Sequence, residues 1–148
     1  LEDLPIILPS ALEEQNICNN KYVLKSYLIF CINHSINKAY IKWHPAHTIQ
    51  SKNYFSNTFN NNNIEIIELP NDLPVELYFS TTKKSHQVIS NGSSVLIYAA
   101  LFSENCTAHV IYPILHNVLG EKTPRSDYWI NTYSQYKIKN LYIESNIK

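Results

Sequence analysis

Short apolar runs separated by turn residues constrain the fold of this chain most. Turn signals recur roughly every 8 to 12 residues, the spacing typical of β-sandwiches. The two longest runs, Tyr22–Ile32 and Val95–Phe102, are apolar on both faces and predict buried central strands. No strand-like run alternates with a long helical pattern, which disfavours an α/β fold. We therefore predict a mainly β chain, an antiparallel two-sheet β-sandwich of the Ig-like or jelly-roll-like kind.

The remaining strands are predicted from alternation of apolar and polar residues and from the turn residues that bound each run. Val75, Leu77 and Phe79 alternate with polar neighbours and give the clearest one-sided strand. The segment Gln50–Asn63 is polar and predicts a long surface loop. Besides Val75–Phe79, the expected strands are Ala39–Trp43, Ile64–Leu69, His86–Ile89, Thr107–Tyr112, Tyr128–Tyr133 and Tyr136–Ile143.

The first twenty residues differ from this pattern. Prolines frame the apolar run Leu4–Pro9, which indicates an extended arm rather than a central strand. Ser10 and Glu13 have the spacing of a capping box, so a short N-terminal helix is expected after the arm. We divide the chain into an N-terminal arm with this helix, residues 1–20, and a β-sandwich domain, residues 21–148. The arm either covers an edge of its own domain or joins a neighbour's sheet, which would make a homo-oligomer.

Composition excludes several classes of function. The chain has only two glycines, so a glycine-rich phosphate-binding loop is excluded. Twelve basic and twelve acidic residues balance, which argues against a nucleic-acid partner. No run reaches the ~18 apolar residues of a membrane span. With no methionine in the chain, we expect a processed protein or a fragment, secreted or periplasmic.

Three cysteines leave one unpaired in any scheme. Cys18 and Cys31 lie at opposite ends of the first predicted strand, too far apart for a disulfide. Either Cys106 takes part in a bridge or all three thiols are free. Cys31 lies within an apolar run and is expected to be a buried, unreactive thiol.

The segment from Trp43 to His47 is the sharpest local feature. Two histidines three residues apart beside a tryptophan are a candidate metal site or pocket lining. Pro45 excludes a helix interior, and no neighbour in the sequence supplies a third ligand. We therefore favour an ordinary surface loop, without metal or cofactor.

Aromatic residues crowd the C-terminal quarter and suggest a binding surface. Tyr128 and Trp129 are adjacent, so on a strand they point to opposite faces and one of them is exposed. Exposed Tyr and Trp favour protein or carbohydrate partners. The predicted binding residues, with no catalytic or metal-binding residue assigned, are Trp43, His44, His47, Tyr128, Trp129 and Tyr133.

These observations favour a non-enzymatic secreted or periplasmic β-sandwich module that binds a protein or glycan partner. The first alternative is a structural subunit of a larger assembly that uses its N-terminal arm for contacts. The second alternative is a hydrolase or metal site around His44 and His47.

Overall fold

A six-stranded, all-parallel sheet forms the centre of residues 1–145, the part of the chain that the computed structural model describes. The strand order is β3-β2-β1-β4-β5-β6, the doubly wound order of nucleotide-binding α/β folds. The order therefore reverses between β1 and β4, which lie side by side. The strands are β1 (Ile6–Ile7), β2 (Lys38–Ile41), β3 (Glu65–Glu68), β4 (His86–Ser90), β5 (Cys106–Val110) and β6 (Leu141–Ile143).

Helices cover both faces of the sheet and create two apolar cores. Residues of α1, α2 and α5 pack into one core, and residues of α3, α4 and α6 pack into the other. Trp129 contacts both cores, so α6 lies where the two faces meet. The helices are α1 (Asn20–Asn33), α2 (Ile49–Asn61), α3 (Val75–Thr81), α4 (Val95–Phe102), α5 (Tyr112–Leu119) and α6 (Ser126–Tyr136).

This architecture shows that the prediction of an antiparallel β-sandwich was wrong. The most consequential error concerns the expected arm, because it contains the central strand β1. Ile6 and Ile7 are fully buried and pair in parallel with β2 on one side and β4 on the other. Pro5 and Pro9 lie just outside this two-residue strand, so neither one interrupts its hydrogen bonds.

The two longest apolar runs are helices rather than strands. In α1 the buried apolar residues follow the spacing i, i+1, i+4, i+7, i+8, which is helical. In α4 the buried residues Leu96, Ala99 and Ala100 follow i, i+3, i+4. Apolar residues at exposed positions, among them Ile32 (62% exposed) in α1 and Leu101 (54%) and Phe102 (55%) in α4, hid the period. The apolar buried residues of α1 are Val23, Leu24, Tyr27, Phe30 and Cys31.

The run that alternated most clearly is also helical. In α3, Val75 and Phe79 are buried one turn apart, whereas Leu77 between them is 60% exposed. The predicted loop Gln50–Asn63 contains α2, and the predicted strand Tyr128–Tyr133 lies within α6. The expected short helix after the arm is a series of turns.

The outcomes for the remaining strands, the cysteines, the domain boundary and a membrane span are as follows. Five predicted runs overlap observed strands, β2 through β6. All three cysteines, which lie within the described residues, are free. The boundary after residue 20 stays a prediction, and the last three residues of the expected domain 21–148 lie outside the described residues. Between residues 1 and 145, none of the helices is both long enough and apolar enough to cross a bilayer.

Candidate functional site

A cavity of about 440 Å³ opens at the carboxyl ends of the central strands. Its walls are the loops that follow β1, β2, β3 and β4, closed by the start of α5 and by α6. We call it the switch-point cavity, because it lies where the strand order reverses between β1 and β4. Ligands of open α/β sheets bind at this place, and the volume suits a small molecule. The lining includes residues 8–12, 42–45 and 92–95 together with Tyr112, Arg125 and Trp129.

The two loops at the reversal point are tied to each other. The hydroxyl of Tyr27 on α1 donates to the Leu8 carbonyl (3.1 Å) and accepts the backbone N–H of Asn91 (3.0 Å). The Ser10 hydroxyl donates to the Gly92 carbonyl at 3.1 Å, across the mouth between the loops. Burial raises the pKa of Tyr27, so this hydroxyl stays protonated and keeps its donor role. These hydrogen bonds therefore hold the loops after β1 and β4 in a fixed position relative to each other.

A loop of two histidines forms a second wall. The backbone N–H of His44 donates to Nδ1 of His47 (3.0 Å), and the backbone N–H of Ala46 donates to Nδ1 of His44 (3.1 Å). Each ring is thus a neutral imidazole with its proton on Nε2. The His47 ring packs against Trp43 and Phe55. Burial there lowers its pKa, so the ring stays neutral. The loop presents His44 to the cavity as a hydrogen-bond donor.

The end of this loop is held by Glu14. Its carboxylate accepts the Ser51 hydroxyl and, at 3.5 Å, the backbone N–H of Thr48, the N-cap residue of α2. Burial alone would raise the pKa of Glu14, but these hydrogen bonds together lower it below its ordinary value. The charged carboxylate therefore fixes the start of α2, which directly follows the histidine loop.

Helix α6 closes the cavity opposite the histidine loop. The backbone N–H of Ser93 donates to the Tyr133 hydroxyl (2.8 Å), which donates back to the Ser93 carbonyl (2.7 Å). Trp129 stacks on Tyr133 and lies against Gly92, where a Cβ atom would be 2.8 Å from Cδ1 of Trp129. The same Cβ would be 2.5 Å from Cε2 of Tyr112. Gly92 is required here because two aromatic rings occupy the space of a side chain.

The charge of the cavity is suited to an anion. Lys42 and Arg125 line it, with Glu76 as a carboxylate at its rim. Helices α4, α5 and α6 begin at lining residues or directly beside them, so their partly positive amino ends face the same space. The lining therefore has two cationic side chains against one carboxylate, although the chain as a whole has no net charge.

The predicted binding residues separate into three groups. Trp43, His44 and Trp129 line the cavity, with Trp43 only 3% exposed. His47 and Tyr133 are buried behind the walls and position their neighbours. Tyr128 is 65% exposed and lies outside the cavity lining. Because α6 is a helix, Tyr128 and Trp129 point about 100° apart rather than to opposite faces.

The sequence reasoning missed Lys42, Gly92 and Arg125. The available signals were that Lys42 directly follows a strand, and that Gly92 and Arg125 are rare residue types in this chain. The alternative of a metal or hydrolase site at His44 and His47 is also wrong. Their Nδ1 atoms accept backbone N–H groups, and within residues 1–145 there is no group of three or more His, Cys, Asp or Glu residues able to hold a metal ion.

A comparison with protein-family models gives a match over most of the chain. Residues 5–112, more than two thirds of the chain, match the family model of the alpha-2,8-polysialyltransferases (POLYST). No curated protein matches the chain. The matched segment extends from β1 to the start of α5 and includes most of the cavity lining. The match implies a glycosyltransferase enzyme, so the expectation of a non-enzymatic β-sandwich binding module was wrong.

Proposed function

Because this chain belongs to the alpha-2,8-polysialyltransferase family, we propose that it acts in glycosyl transfer to sialic acid and binds its substrate in the switch-point cavity. The observation that carries the proposal is the position of this cavity. It lies at the reversal of strand order in a parallel sheet, between the loops after β1 and β4. Both loops are within the segment that matches the family.

The chemistry of the cavity supports a sialic acid ligand. Sialic acid is a pyranose that carries a carboxylate, so a site for it needs positive charge and surfaces for a sugar ring. Lys42, Arg125 and the amino ends of three helices supply the charge. Trp129, which is partly exposed, supplies aromatic surface, and His44 supplies an uncharged donor from Nε2.

Glycosyl transfer also needs a group that accepts the proton of the attacking hydroxyl. Nδ1 of His44 already accepts a backbone N–H, and Nε2 carries the proton, so this ring acts as a donor. Glu76, at the start of α3, is a carboxylate at the rim of the cavity and is free of this restriction. We assign His44 to substrate binding and Glu76 to proton acceptance.

Transfer is tested by incubating the protein with a nucleotide-activated sialic acid and a fluorescently labelled α-2,8-linked sialic acid oligomer. Chromatography should show elongation of the oligomer by single residues. Lys42→Gln should slow elongation, because it removes a cation from the cavity. Lys38→Gln is the matched control. Lys38 begins β2 at the amino end of the strands and pairs with Glu65, whereas Lys42 follows β2 at the carboxyl end. An unmodified acceptor together with no binding of the oligomer would refute the proposal.

A further inference from the structure

Arg125 is the only arginine of the chain, against eleven lysines, and it lines the switch-point cavity. A guanidinium presents a planar fork of donors that fits a carboxylate with two parallel hydrogen bonds, which an ammonium cannot do. In a chain that otherwise uses lysine for positive charge, one arginine at this place indicates a requirement for the fork. Residue 125 lies outside the matched segment 5–112, so the family match assigns it no role.

The backbone of Arg125 is held in an unfavourable conformation. Its φ angle is 69°, in the left-handed region that favours glycine, and it occupies the N-cap position of α6. Side chains other than Gly, Asn and Asp cost about 1 kcal/mol or more in this region. Strained backbone of this kind is enriched at active sites and ligand clamps, although Ser35 and Lys137 of this chain also have positive φ angles. The guanidinium Nη1 donates to Oε1 of Gln15 at 3.3 Å, which orients the side chain toward the loop after β1.

Trp129 provides a ring surface beside this cation. It lies four residues after Arg125, and its backbone N–H donates to the Arg125 carbonyl at 3.1 Å. Both residues line the switch-point cavity. Tyr133 stacks against the indole with an interplanar angle of 22°, and Gly92 packs at its edge. The indole is therefore held in one orientation, partly exposed at the cavity wall.

Given the proposed function, on which this step rests, we propose that Arg125 and Trp129 form the subsite that recognises one sialic acid unit of the substrate. The guanidinium pairs with the carboxylate and the indole packs against the pyranose ring. Tyr133 and Gly92 position this pair by fixing α6 to the loop after β4. The subsite selects an anionic sugar over a neutral one, because within residues 1–145 no carboxylate forms an ion pair with the Arg125 guanidinium.

The test is isothermal titration of the protein with an α-2,8-linked sialic acid trimer and with a neutral trisaccharide. Arg125→Lys keeps the charge and removes the fork, so it should weaken trimer binding about tenfold, the loss expected for one hydrogen bond to a charged group. It should leave the weak binding of the neutral sugar unchanged. Trp129→Phe should bind within about threefold of the wild type, whereas Trp129→Ala should lose about tenfold.

Lys122→Ala is the matched control, because Lys122 is an exposed cation of the preceding segment that pairs with Asp127 rather than lining the cavity. Its trimer affinity should equal that of the wild type, and thermal melts should show all variants folded. A wild-type protein that binds the trimer while Arg125→Lys and Trp129→Ala bind it equally well would overturn the subsite alone. A wild-type protein that does not bind the trimer would overturn the proposed function as well.

Discussion

Replacing Gly92 with alanine tests the packing that holds α6 over the cavity. The new Cβ would lie 2.5 Å from Cε2 of Tyr112 and 2.8 and 2.9 Å from Cδ1 and Cγ of Trp129. Carbon atoms in contact prefer about 3.5–4.0 Å, so the rings must retreat by about 1 Å. Tyr112 is only 1% exposed and has little freedom, so Trp129 and α6 should move instead. That movement would stretch the hydrogen bonds between Tyr133 and Ser93.

We expect Gly92→Ala to lower the free energy of unfolding by about 1–3 kcal/mol, the usual cost of overpacking. For a domain of this size that corresponds to a fall in Tm of roughly 3–10 °C. Trp129 emission, measured in a Trp43→Phe background, should shift as the indole becomes more exposed. Gly120→Ala is the control: its φ of +76° should also cost about 1 kcal/mol, but a Cβ there meets nothing within 4 Å. If Gly92→Ala leaves both Tm and the emission unchanged, the packing described for α6 is wrong.

Three further predictions concern the same structure. Stability should fall as the pH drops from about 7 to about 5, because buried or half-buried histidines with a lowered pKa are neutral in the folded protein but bind protons when unfolded. Urea midpoints measured across this range check the sign. Glu14, whose pKa is also lowered, should add to the loss only below its ordinary pKa of 4.5. Tyr133→Phe should cost about 1–3 kcal/mol in urea unfolding, since it leaves the N–H and the carbonyl of Ser93 without their partner, and wild-type stability would contradict this. Arg125→Gly should be about 1 kcal/mol more stable than Arg125→Ala because of its φ angle, and equal stability of the two would argue against strain. The histidines concerned are His47, His86, His109 and His116.

The sequence predicts the strands of this fold better than its helices. Runs such as His86–Ile89 and Thr107–Tyr112 are short, bounded by turn residues and buried on both faces, as strands of a parallel sheet are. The helices α1 and α4 carry apolar residues at exposed positions as well as at buried ones, which masks the helical period. The length of the first run was the better guide, because the eleven residues of Tyr22–Ile32 exceed the about 4–8 residues of a usual strand. The eight residues of Val95–Phe102 fit either element.

The central strand was missed for a different reason. β1 has only two paired residues and is framed by prolines, and local propensity cannot reveal that both of its neighbours come from later in the chain. Its position depends on long-range pairing, as does the cavity next to it. Trp43 and His44 were nevertheless named as binding residues from the segment Trp43–His47, and Trp129 from the aromatic residues of the C-terminal quarter. All three line the cavity.

The scarcity of glycine correctly argues against a glycine-rich phosphate loop, but it does not argue against a parallel α/β sheet. Two glycines exclude a glycine-rich phosphate loop, and the loop after β1 is indeed Pro9-Ser10-Ala11. They do not exclude a doubly wound sheet, because Tyr27 and Ser10 tie the loops at the reversal point without glycine. The one glycine of the cavity, Gly92, is present for close packing of rings rather than for a phosphate.

The most direct test of the central claim is an amide chemical-shift map of the protein titrated with an α-2,8-linked sialic acid trimer. The predicted result is a set of shifted amides confined to the carboxyl edge of the sheet, in the loops after β1, β2 and β4 and at the start of α6. Ser10, Lys42, Ser94 and Arg125 should be among them. Shifts confined to the opposite edge, around Lys38 and Glu65, or an unchanged spectrum at saturating trimer, would contradict a sialic acid site in the switch-point cavity.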